Sequence, residues 1–234
     1  MSSDSFTFRQ FTVRQDRCAM KVGTDGVVLG AWARCGRRIL DIGTGTGLIA
    51  LMAAQRSAEA RVTAVEIDHA AAIQARENIA RSPFGGRIAV AESDIQSFDA
   101  EEKFDTIVSN PPFFTDSMRN PDAQRATARH ADTLPYRELF AAVARLLSDD
   151  GEFSAIIPYD CIQTFTAEAY AAGLAMSRRC VMRTTPRKQP KRVLVAFRHF
   201  LAASGTEASE ECLMNADGTR SDWYRMLTDD FYIK

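Results

Sequence analysis

The stretch Ser109-Asn110-Pro111-Pro112-Phe113 contains residue types that could bind a planar group carrying an NH2. Asn110 supplies a side-chain oxygen, and Asn110 and Pro111 supply backbone carbonyls, so several acceptors stand beside the aromatic face of Phe113. Because proline cannot donate to a sheet ladder, the two prolines also fit a stiff turn that ends a strand. These five residues alone are therefore consistent with two interpretations, a binding loop and a simple turn.

A second stretch with chemical potential is the glycine-rich loop Gly43-Thr44-Gly45-Thr46-Gly47, which follows the apolar run at residues 38–42. Strand, glycine loop and helix in this order are the context in which such a loop binds a nucleotide. Glycines let the backbone approach a ligand closely. The spacing is G-x-G-x-G and not the G-x-G-x-x-G of dinucleotide enzymes. Asp41, just before the loop, favours a cationic or amine-bearing ligand over a pyrophosphate.

Two further acids follow predicted strands. Glu66 lies about twenty residues past the glycine loop, where a carboxylate is placed to accept two ribose hydroxyls. Asp94 could accept from an adenine amino group while Ile95 packs on the ring. An exposed strand-end charge at Glu66 and a plain helix cap at Asp94 are the alternatives. Asp68 is the expected N-cap of the helix that follows it.

The elements that would position these residues alternate between strands and helices. Apolar runs predict strands at residues 38–42, 61–65, 87–91, 104–108, 152–158, 176–184 and 192–200, the last two forming a hairpin. Periodic apolar positions and capping residues predict helices at 24–33, 48–56, 69–81, 134–147 and 161–172. This pattern predicts an α/β fold with seven strands and with the candidate residues at one edge of the sheet.

Length and composition bound the class of protein. The 234 residues fit one domain, with an N-terminal extension at 1–23, a core at 24–200 and a C-terminal extension at 201–234. Five cysteines without a C-x-x-C pair and three scattered histidines indicate neither a disulfide framework nor a metal site. No run approaches membrane-spanning length and no signal sequence is present, which predicts a cytoplasmic protein with no membrane partner.

A basic stretch lies late in the chain. From Ala169 to Thr206 there is no acidic residue, and the basic ones are Arg178, Arg179, Arg183, Arg187, Lys188, Lys191, Arg192 and Arg198. Such a one-sign field is a candidate phosphate-binding face, or a set of strand-edge charges that blocks aggregation. The RNA-binding candidates are Arg187, Lys188, Lys191 and Arg192. The polar stretch 114–133 is a candidate lid.

The ordered set Asp41 to Gly47, Glu66, Asp94 and Asn110 to Phe113 resembles class I S-adenosylmethionine-dependent methyltransferases that modify amino groups. That class implies a doubly wound, Rossmann-like and mostly parallel sheet, ordered 3-2-1-4-5-7-6 with the seventh strand antiparallel. Blocks at 8–11, 16–26, 29–32, 192–197 and 230–232 further resemble the bacterial tRNA1(Val) adenine-N6 methyltransferase family. Phe113 departs from that family, which often has Tyr there.

The resemblance implies methylation of N6 of adenosine 37, in the anticodon stem-loop of a valine tRNA, by a monomer that needs no metal. It places the methionine part of S-adenosylmethionine against Asp41, Gly43, Gly45 and Gly47. It assigns the ribose to Glu66 and the adenine to Asp94 and Ile95. Lys21, Thr24 and Asp25 would contact the cofactor or form a gate over it. Asn110, Pro111, Pro112 and Phe113 would form the catalytic loop, with Asn110 also touching the cofactor.

Other functions share parts of this pattern. Methyltransferases of release-factor glutamine or of guanine N2 in ribosomal RNA use the same kind of loop, because each substrate presents a planar NH2. A non-catalytic RNA-binding protein on this scaffold is an alternative that the intact acids and glycines argue against. The glycine spacing, and the lack of a plausible hydride-site His or a Tyr-x-x-x-Lys motif, argue against a nicotinamide dehydrogenase.

Overall fold

Strands and helices alternate along the chain in the computed structural model, which describes residues 4–18, 20–112 and 134–233. The strands in these ranges are β1 (Ser5–Thr7), β2 (Thr12–Arg14), β3 (Arg38–Ile42), β4 (Arg61–Glu66), β5 (Ile88–Glu92), β6 (Phe104–Ser109), β7 (Leu147–Pro158), β8 (Leu174–Arg183), β9 (Arg192–His199) and β10 (Glu207–Cys212). The helices there are α1 (Thr24–Trp32), α2 (Leu48–Arg56), α3 (His69–Ala80), α4 (Tyr136–Leu146), α5 (Ile162–Ala171) and α6 (Asp222–Thr228).

One sheet organises the part of the chain that the structure describes. It has eight strands in the order β10-β8-β9-β7-β6-β3-β4-β5. β9 runs antiparallel to both neighbours, and the other adjacent pairs are parallel. Counted from β5, seven strands follow the expected order 3-2-1-4-5-7-6 with the seventh antiparallel. The predicted α/β, doubly wound fold is confirmed.

The eighth strand, β10, is an addition that the seven-strand prediction did not contain. Its sequence, EASEEC, has three glutamates and no apolar alternation, so it carries no strand signal of its own. It pairs in parallel with β8, where Glu207 stands opposite Arg178, and Glu210 forms an ion pair with Arg183 at 3.3 Å. Backbone pairing with β8 thus holds a strand that its own residues do not specify, and charge complementarity at the sheet edge accompanies this pairing.

The boundary between α4 and β7 also differs from the sequence-based expectation. We expected a helix to Leu147, a turn at 148–151 and a strand from Glu152, but the strand starts at Leu147. The register explains the difference, because Phe104 of β6 stands opposite Leu147 while Thr106 stands opposite Glu152. The four turn-like residues therefore form a bulge within one continuous strand.

The core lies on both faces of the sheet. On one face α4 buries an apolar stripe that includes Leu139, Phe140 and Val143. Phe140 makes edge contacts with two strand residues, Phe153 and Phe197, at centroid distances of 5.6 and 5.5 Å. Large buried aromatic groups of this kind hold helix and sheet in one arrangement.

The two ends of the chain pack against each other beside α2 and α3. β1 and β2 form a hairpin, and Phe8 lies in the same buried cluster as Phe231. The Arg9 amide donates to the Phe231 carbonyl at 2.8 Å, and Tyr232 stacks on Phe8 with ring centroids 6.0 Å apart. The N-terminal extension is therefore a packed element of the fold.

Candidate active site

The carboxyl ends of β3, β4 and β6 meet at one edge of the sheet and bring the predicted site residues together. Asp41 of β3 stands opposite Ala64 on one neighbour and Val108 on the other. At this edge the Ser109 hydroxyl of β6 donates a hydrogen bond to the Ile42 carbonyl of β3 at 3.0 Å. Because parallel strands end together, Asp41, Glu66 and Asn110 follow neighbouring strand ends, as the sequence predicts.

The glycine loop between β3 and α2 has a backbone that favours glycine at three positions. Gly43, Gly45 and Gly47 have φ angles of +69°, +55° and +83°. A Cβ added at Gly43 or Gly45 would meet no atom within 4 Å, so the loop is open on that side. At Gly47 a Cβ would lie 3.5 Å from the Ala75 side chain, so this glycine packs α2 against α3. The first two glycines, which we call the glycine cradle, thus leave the backbone open for a ligand to approach, and the third serves packing.

Asp41 is a buried carboxyl with one unused oxygen. Its Oδ2 accepts from the Thr44 hydroxyl at 2.6 Å and from the Ala50 amide at 3.1 Å. Its Oδ1 is buried and has no hydrogen-bond partner among the described residues. Burial, supported by the nearby Glu66, raises the pKa of Asp41 to about 7. A buried acceptor without a donor fits a cationic ligand group such as an ammonium, which satisfies the oxygen and favours its ionised form.

Glu66 ties the glycine loop to the start of α3. Its Oε2 accepts from the Gly45 amide at 2.8 Å, and its Oε1 accepts from the Asp68 amide at 3.0 Å. Each carboxylate oxygen can accept more than one hydrogen bond, so these contacts leave capacity for ribose hydroxyls. Asp68 accepts from the Ala71 amide at 2.7 Å, which confirms it as the N-cap of α3.

Asp94 and Ile95 lie beyond the end of β5, beside the Glu66 strand. The Glu66 carbonyl accepts from the Ser93 amide at 3.0 Å, so this turn lies against the end of β4. Asp94 Oδ1 accepts from the Gln96 amide at 3.0 Å within a turn, and no helix begins there, so the helix-cap alternative is wrong. Ile95 is 5% exposed and belongs to the main core cluster, so most of its side chain serves packing.

Asn110 has the second unused buried oxygen of the site. It follows β6 directly, and its Oδ1 is buried without a hydrogen-bond partner in the described part of the chain. Pro111 is buried and Pro112 is exposed. Phe113 and the predicted lid at 114–133 lie outside the described residues. The loop thus presents a buried acceptor oxygen that no donor in the described part of the chain satisfies.

Two amides on α3, which the candidate site residues did not include, bind the N-terminal extension to the glycine loop. Asn78 accepts from the Arg14 amide and donates to the carbonyls of Arg14 and Thr46, each at 2.9 Å. Gln74 accepts from the Arg17 amide at 2.9 Å. Two amides four residues apart, on a helix face otherwise built from alanines, are the signal that could have indicated this docking.

These amides place the segment at 14–22 beside the cofactor candidates. Gln15 accepts from the Val22 amide at 2.7 Å and so closes the segment into a loop. Burial, and the nearby carboxylates of Glu66, Asp68 and Asp16, raise the pKa of Cys18 to about 11. Cys18 therefore lies close to the predicted ribose-binding acid.

The N-terminal gate candidates have different surroundings. Lys21 and Thr24 are exposed. Asp25, in the first turn of α1, accepts from Arg192 Nε at 2.7 Å. Helix α1 begins after Gly23, which makes no side-chain cap contact, so the expected capping at Thr24 is absent.

The predicted basic field divides between the two edges of the sheet. β9 runs antiparallel, so the turn before it lies at the same edge as the candidate site. In this turn Arg187, Lys188 and Lys191 are exposed, and Arg192 pairs with Asp25. These residues can face a ligand that is bound at the site edge.

At the opposite edge, arginines of the same field surround a buried carboxylate. Glu152 accepts from Arg178 at 2.6 Å and from Arg198 at 3.3 Å, and Arg34 approaches to 3.7 Å. Arg178 also lies 3.9 Å above the Trp32 ring. A cavity of about 330 Å³ adjoins this cluster, far from the carboxyl ends of the strands. Arg178 and Arg198 form ion pairs with a core acid at the opposite edge, so the field is not a single phosphate-binding face.

Two further features bear on function. No group of three or more His, Cys, Asp and Glu residues suited to hold a metal occurs within the described ranges. Among the helices of those ranges, none combines the length and the apolar character needed to cross a membrane.

Comparisons with known proteins agree with this geometry. The family model described as "Methyltransferase small domain" matches residues 28–158. A Bacteroides fragilis protein named tRNA1(Val) (adenine(37)-N6)-methyltransferase is 51% identical, with 100% of each chain covered. A Tolumonas auensis protein of the same name is 44% identical, covering 100% of this chain and 99% of its own.

Solved structures support the fold. A predicted O-methyltransferase from Agrobacterium tumefaciens aligns with a TM-score of 0.66 at 19% identity, covering 88% of this chain and 96% of its own. A putative RNA methyltransferase from Pyrococcus horikoshii aligns with a TM-score of 0.52 at 23% identity, covering 70% and 74%. The family assignment rests on the sequence identity to the named relatives over the full length of the chain, and the solved structures support the fold alone. The chain belongs to the tRNA1(Val) (adenine(37)-N6)-methyltransferase family and carries its methyltransferase small domain.

Proposed function

We propose that this protein transfers a methyl group from S-adenosylmethionine to N6 of adenosine 37 in tRNA1(Val). The observation that carries the proposal is a pair of buried oxygens that have no hydrogen-bond partner among the described residues, Asp41 Oδ1 in β3 and Asn110 Oδ1 directly after the neighbouring β6. One suits the ammonium of an amino-acid moiety and the other suits the NH2 of a base. A site with both of these hydrogen-bond acceptors can hold the methyl donor and the base that receives the methyl group side by side.

The residues present fit S-adenosylmethionine. Asp41 would accept from its ammonium, while the open sides of Gly43 and Gly45 would let the backbone approach its methionine part. Glu66 would accept from the ribose hydroxyls and Asp94 from the adenine amine. When bound, this cofactor supplies an electrophilic methyl group on a sulfonium.

Asn110 and Pro111 would prepare the adenine nitrogen. The N6 lone pair of adenine is delocalised into the ring, which makes the amine a weak nucleophile. Asn110 Oδ1 and the Pro111 carbonyl would each accept a hydrogen bond from the N6 amine. These two hydrogen bonds would turn the nitrogen towards sp3 geometry and aim its lone pair at the methyl group. Orientation of this kind lowers the barrier without a general base. The methylated nitrogen is strongly acidic and loses its proton afterwards to water.

The flanking aromatic residue would hold the base. In this proposal Phe113 stacks on the adenine, a contact worth about 1–3 kcal/mol by analogy with other base–aromatic contacts. Bases in an anticodon loop are accessible for such stacking because they are not locked in a duplex. The absence of a hydroxyl on Phe113 leaves stacking intact.

The turn between β8 and β9 is the proposed contact for the anticodon stem-loop. Arg187, Lys188 and Lys191 are exposed at the site edge and would meet phosphates near the target base. We propose that the enzyme acts as a cytoplasmic monomer.

Charge reversal tests the RNA face. The double variant Lys188→Glu with Lys191→Glu is expected to weaken tRNA binding at least tenfold. The slope of log K against log salt concentration should become shallower by the amount that about two phosphate contacts contribute. Filter binding or fluorescence anisotropy across a salt series measures both quantities. Lys103→Glu, at the opposite edge, is the matched control and should leave both unchanged. Unchanged binding by the double variant would remove this turn from the interface.

The function is tested by offering purified protein and isotope-labelled S-adenosylmethionine to unmodified tRNA1(Val), ribosomal subunits and a release factor. Label in N6-methyladenosine, lost when guanosine replaces adenosine 37, is the expected result by nucleoside mass spectrometry. Label in guanosine or in glutamine would keep the chemistry and change the substrate. Cofactor binding without label in any substrate would overturn the proposal and favour a non-catalytic RNA-binding role.

A further inference from the structure

We propose that the Asp25–Arg192 ion pair is a positioning device: Asp25 orients Arg192 towards a backbone phosphate of the tRNA and couples RNA binding to cofactor binding. This inference rests on the proposed function, because it needs tRNA at the site edge. It gives Asp25 a different role from the cofactor contact that the family resemblance implies.

The pair joins two parts of the chain with separate expected roles. Arg192 Nε donates to Asp25 Oδ2 at 2.7 Å, across 167 positions of sequence. Arg192 is the first residue of β9 and follows the basic turn. Asp25 lies in the first turn of α1. A single contact therefore links the proposed RNA face to a helix that belongs to the cofactor side.

Helix α1 extends this link to the glycine loop. A Cβ added at Gly26, next to Asp25, would lie 3.1 Å from Leu48 Cδ2, so the two helix starts pack closely. Leu48 is the first residue of α2 and follows Gly47 directly. A displacement of Asp25 would therefore reach the glycine loop through the Gly26 backbone and the Leu48 side chain, which lie in close contact.

Stability alone is a weak reason for this pair. The side chains of Arg192 and Asp25 are 34% and 28% exposed, and ion pairs with that much solvent contribute little to folding. Geometry is a stronger reason. Arg192 Nε binds the carboxylate and Nη1 donates to the Lys191 carbonyl at 3.1 Å, so the plane of the guanidinium is fixed.

A fixed guanidinium favours binding of phosphate because little rotamer freedom is lost when the anion arrives. An anion on Arg192 also keeps this side chain in place against Asp25, which holds the start of α1 and the adjacent cradle. RNA should therefore tighten cofactor binding, and by linkage the cofactor should tighten RNA binding by the same factor.

The test measures dissociation constants of S-adenosylhomocysteine by calorimetry, with and without an unmodified valine anticodon stem-loop RNA. This product cannot donate a methyl group, so no turnover occurs. The full wild-type chain is expected to bind it about tenfold more tightly with RNA. Asp25→Asn and Arg192→Gln should each bring this ratio close to one, and the double variant should lower it no further. Arg192→Lys keeps the charge but not the planar guanidinium, and it should also lower this ratio most of the way to one.

Two comparisons separate positioning from structural support. Arg38→Gln removes an arginine of similar exposure from the amino end of β3, where it pairs with Glu102 at the opposite edge of the sheet, and it should retain the tenfold ratio. The exchange Asp25→Arg with Arg192→Asp restores an ion pair but presents a carboxylate to the phosphate, so the ratio should stay near one. A restored ratio would show that the pair is only a structural tie.

Other outcomes separate this inference from the proposed function. A tenfold ratio in Asp25→Asn, or a ratio of one in a wild-type enzyme that methylates tRNA, would overturn the coupling and leave the function standing. A wild-type enzyme that neither binds nor methylates tRNA would overturn both.

Discussion

Replacing Asn110 with alanine is expected to lower kcat for tRNA methylation by about 10²–10³-fold while changing the cofactor dissociation constant by no more than about threefold. The magnitude follows other enzymes in which one polar contact to the reacting group is removed. Asn110 Oδ1 is buried and has no hydrogen-bond partner in the ranges that the structure describes, so its proposed hydrogen bond forms when the adenine arrives. Single-turnover kinetics with saturating cofactor, beside calorimetry of cofactor binding, measure both quantities.

The matched control is Asn215→Ala, which removes an amide from an exposed turn after β10, the outermost strand, which three strands separate from β6. Its kcat should equal that of the wild type. Equal losses in kcat and in cofactor affinity for Asn110→Ala would contradict the adenine role and would assign Asn110 to the cofactor, the second role that the family resemblance implies.

Replacing Asp41 with alanine is expected to weaken cofactor binding by roughly 10–100-fold, since a hydrogen bond to a charged group is worth about 1.5–3 kcal/mol. The substitution also leaves the Thr44 hydroxyl and the Ala50 amide without their acceptor. Calorimetric titration with S-adenosylhomocysteine measures the loss. An affinity equal to that of the wild type would exclude Asp41 from the ammonium site.

The raised pKa of Asp41 gives this prediction a pH dependence. The ionised carboxylate binds the ammonium, and burial raises the pKa of the group to about 7. Cofactor affinity should therefore be about fivefold lower at pH 6 than at pH 7, where the ammonium stays charged. Without ligand, burial disfavours the ionised form, so the protein should lose stability as the pH rises from about 4 to about 7. Asp41→Asn should flatten both profiles, and a flat wild-type profile would contradict the raised pKa.

Local signals in the sequence were sufficient for the elements that build the site. The strand β3, the glycine loop and α2 follow one another without interruption, so apolar periodicity and three glycines specify them within a few residues. Because parallel strands end at one edge, the positions of Asp41, Glu66 and Asn110 follow from strand order alone.

Contacts between distant parts of the chain could not be read in the same way. The acid-rich strand β10 has no strand pattern and forms by pairing with β8. The basic field seemed continuous, yet Glu152, from a strand outside it, forms ion pairs with Arg178 and Arg198. Pairing of charges depends on the completed sheet, and sequence spacing does not report it.

The contact between Arg9 and Phe231 has a consequence for biosynthesis. Ribosomes make about 5–20 residues per second, so roughly 10–45 s separate the appearance of these two residues. Throughout that interval Phe6 and Phe8 can contact each other and Phe11, but they lack their final contacts with Tyr232. The segment beside Glu66 docks on Gln74 and Asn78, which are made much earlier, so the cofactor side can form first and only the packing of the hairpin on Phe231 and Tyr232 has to wait.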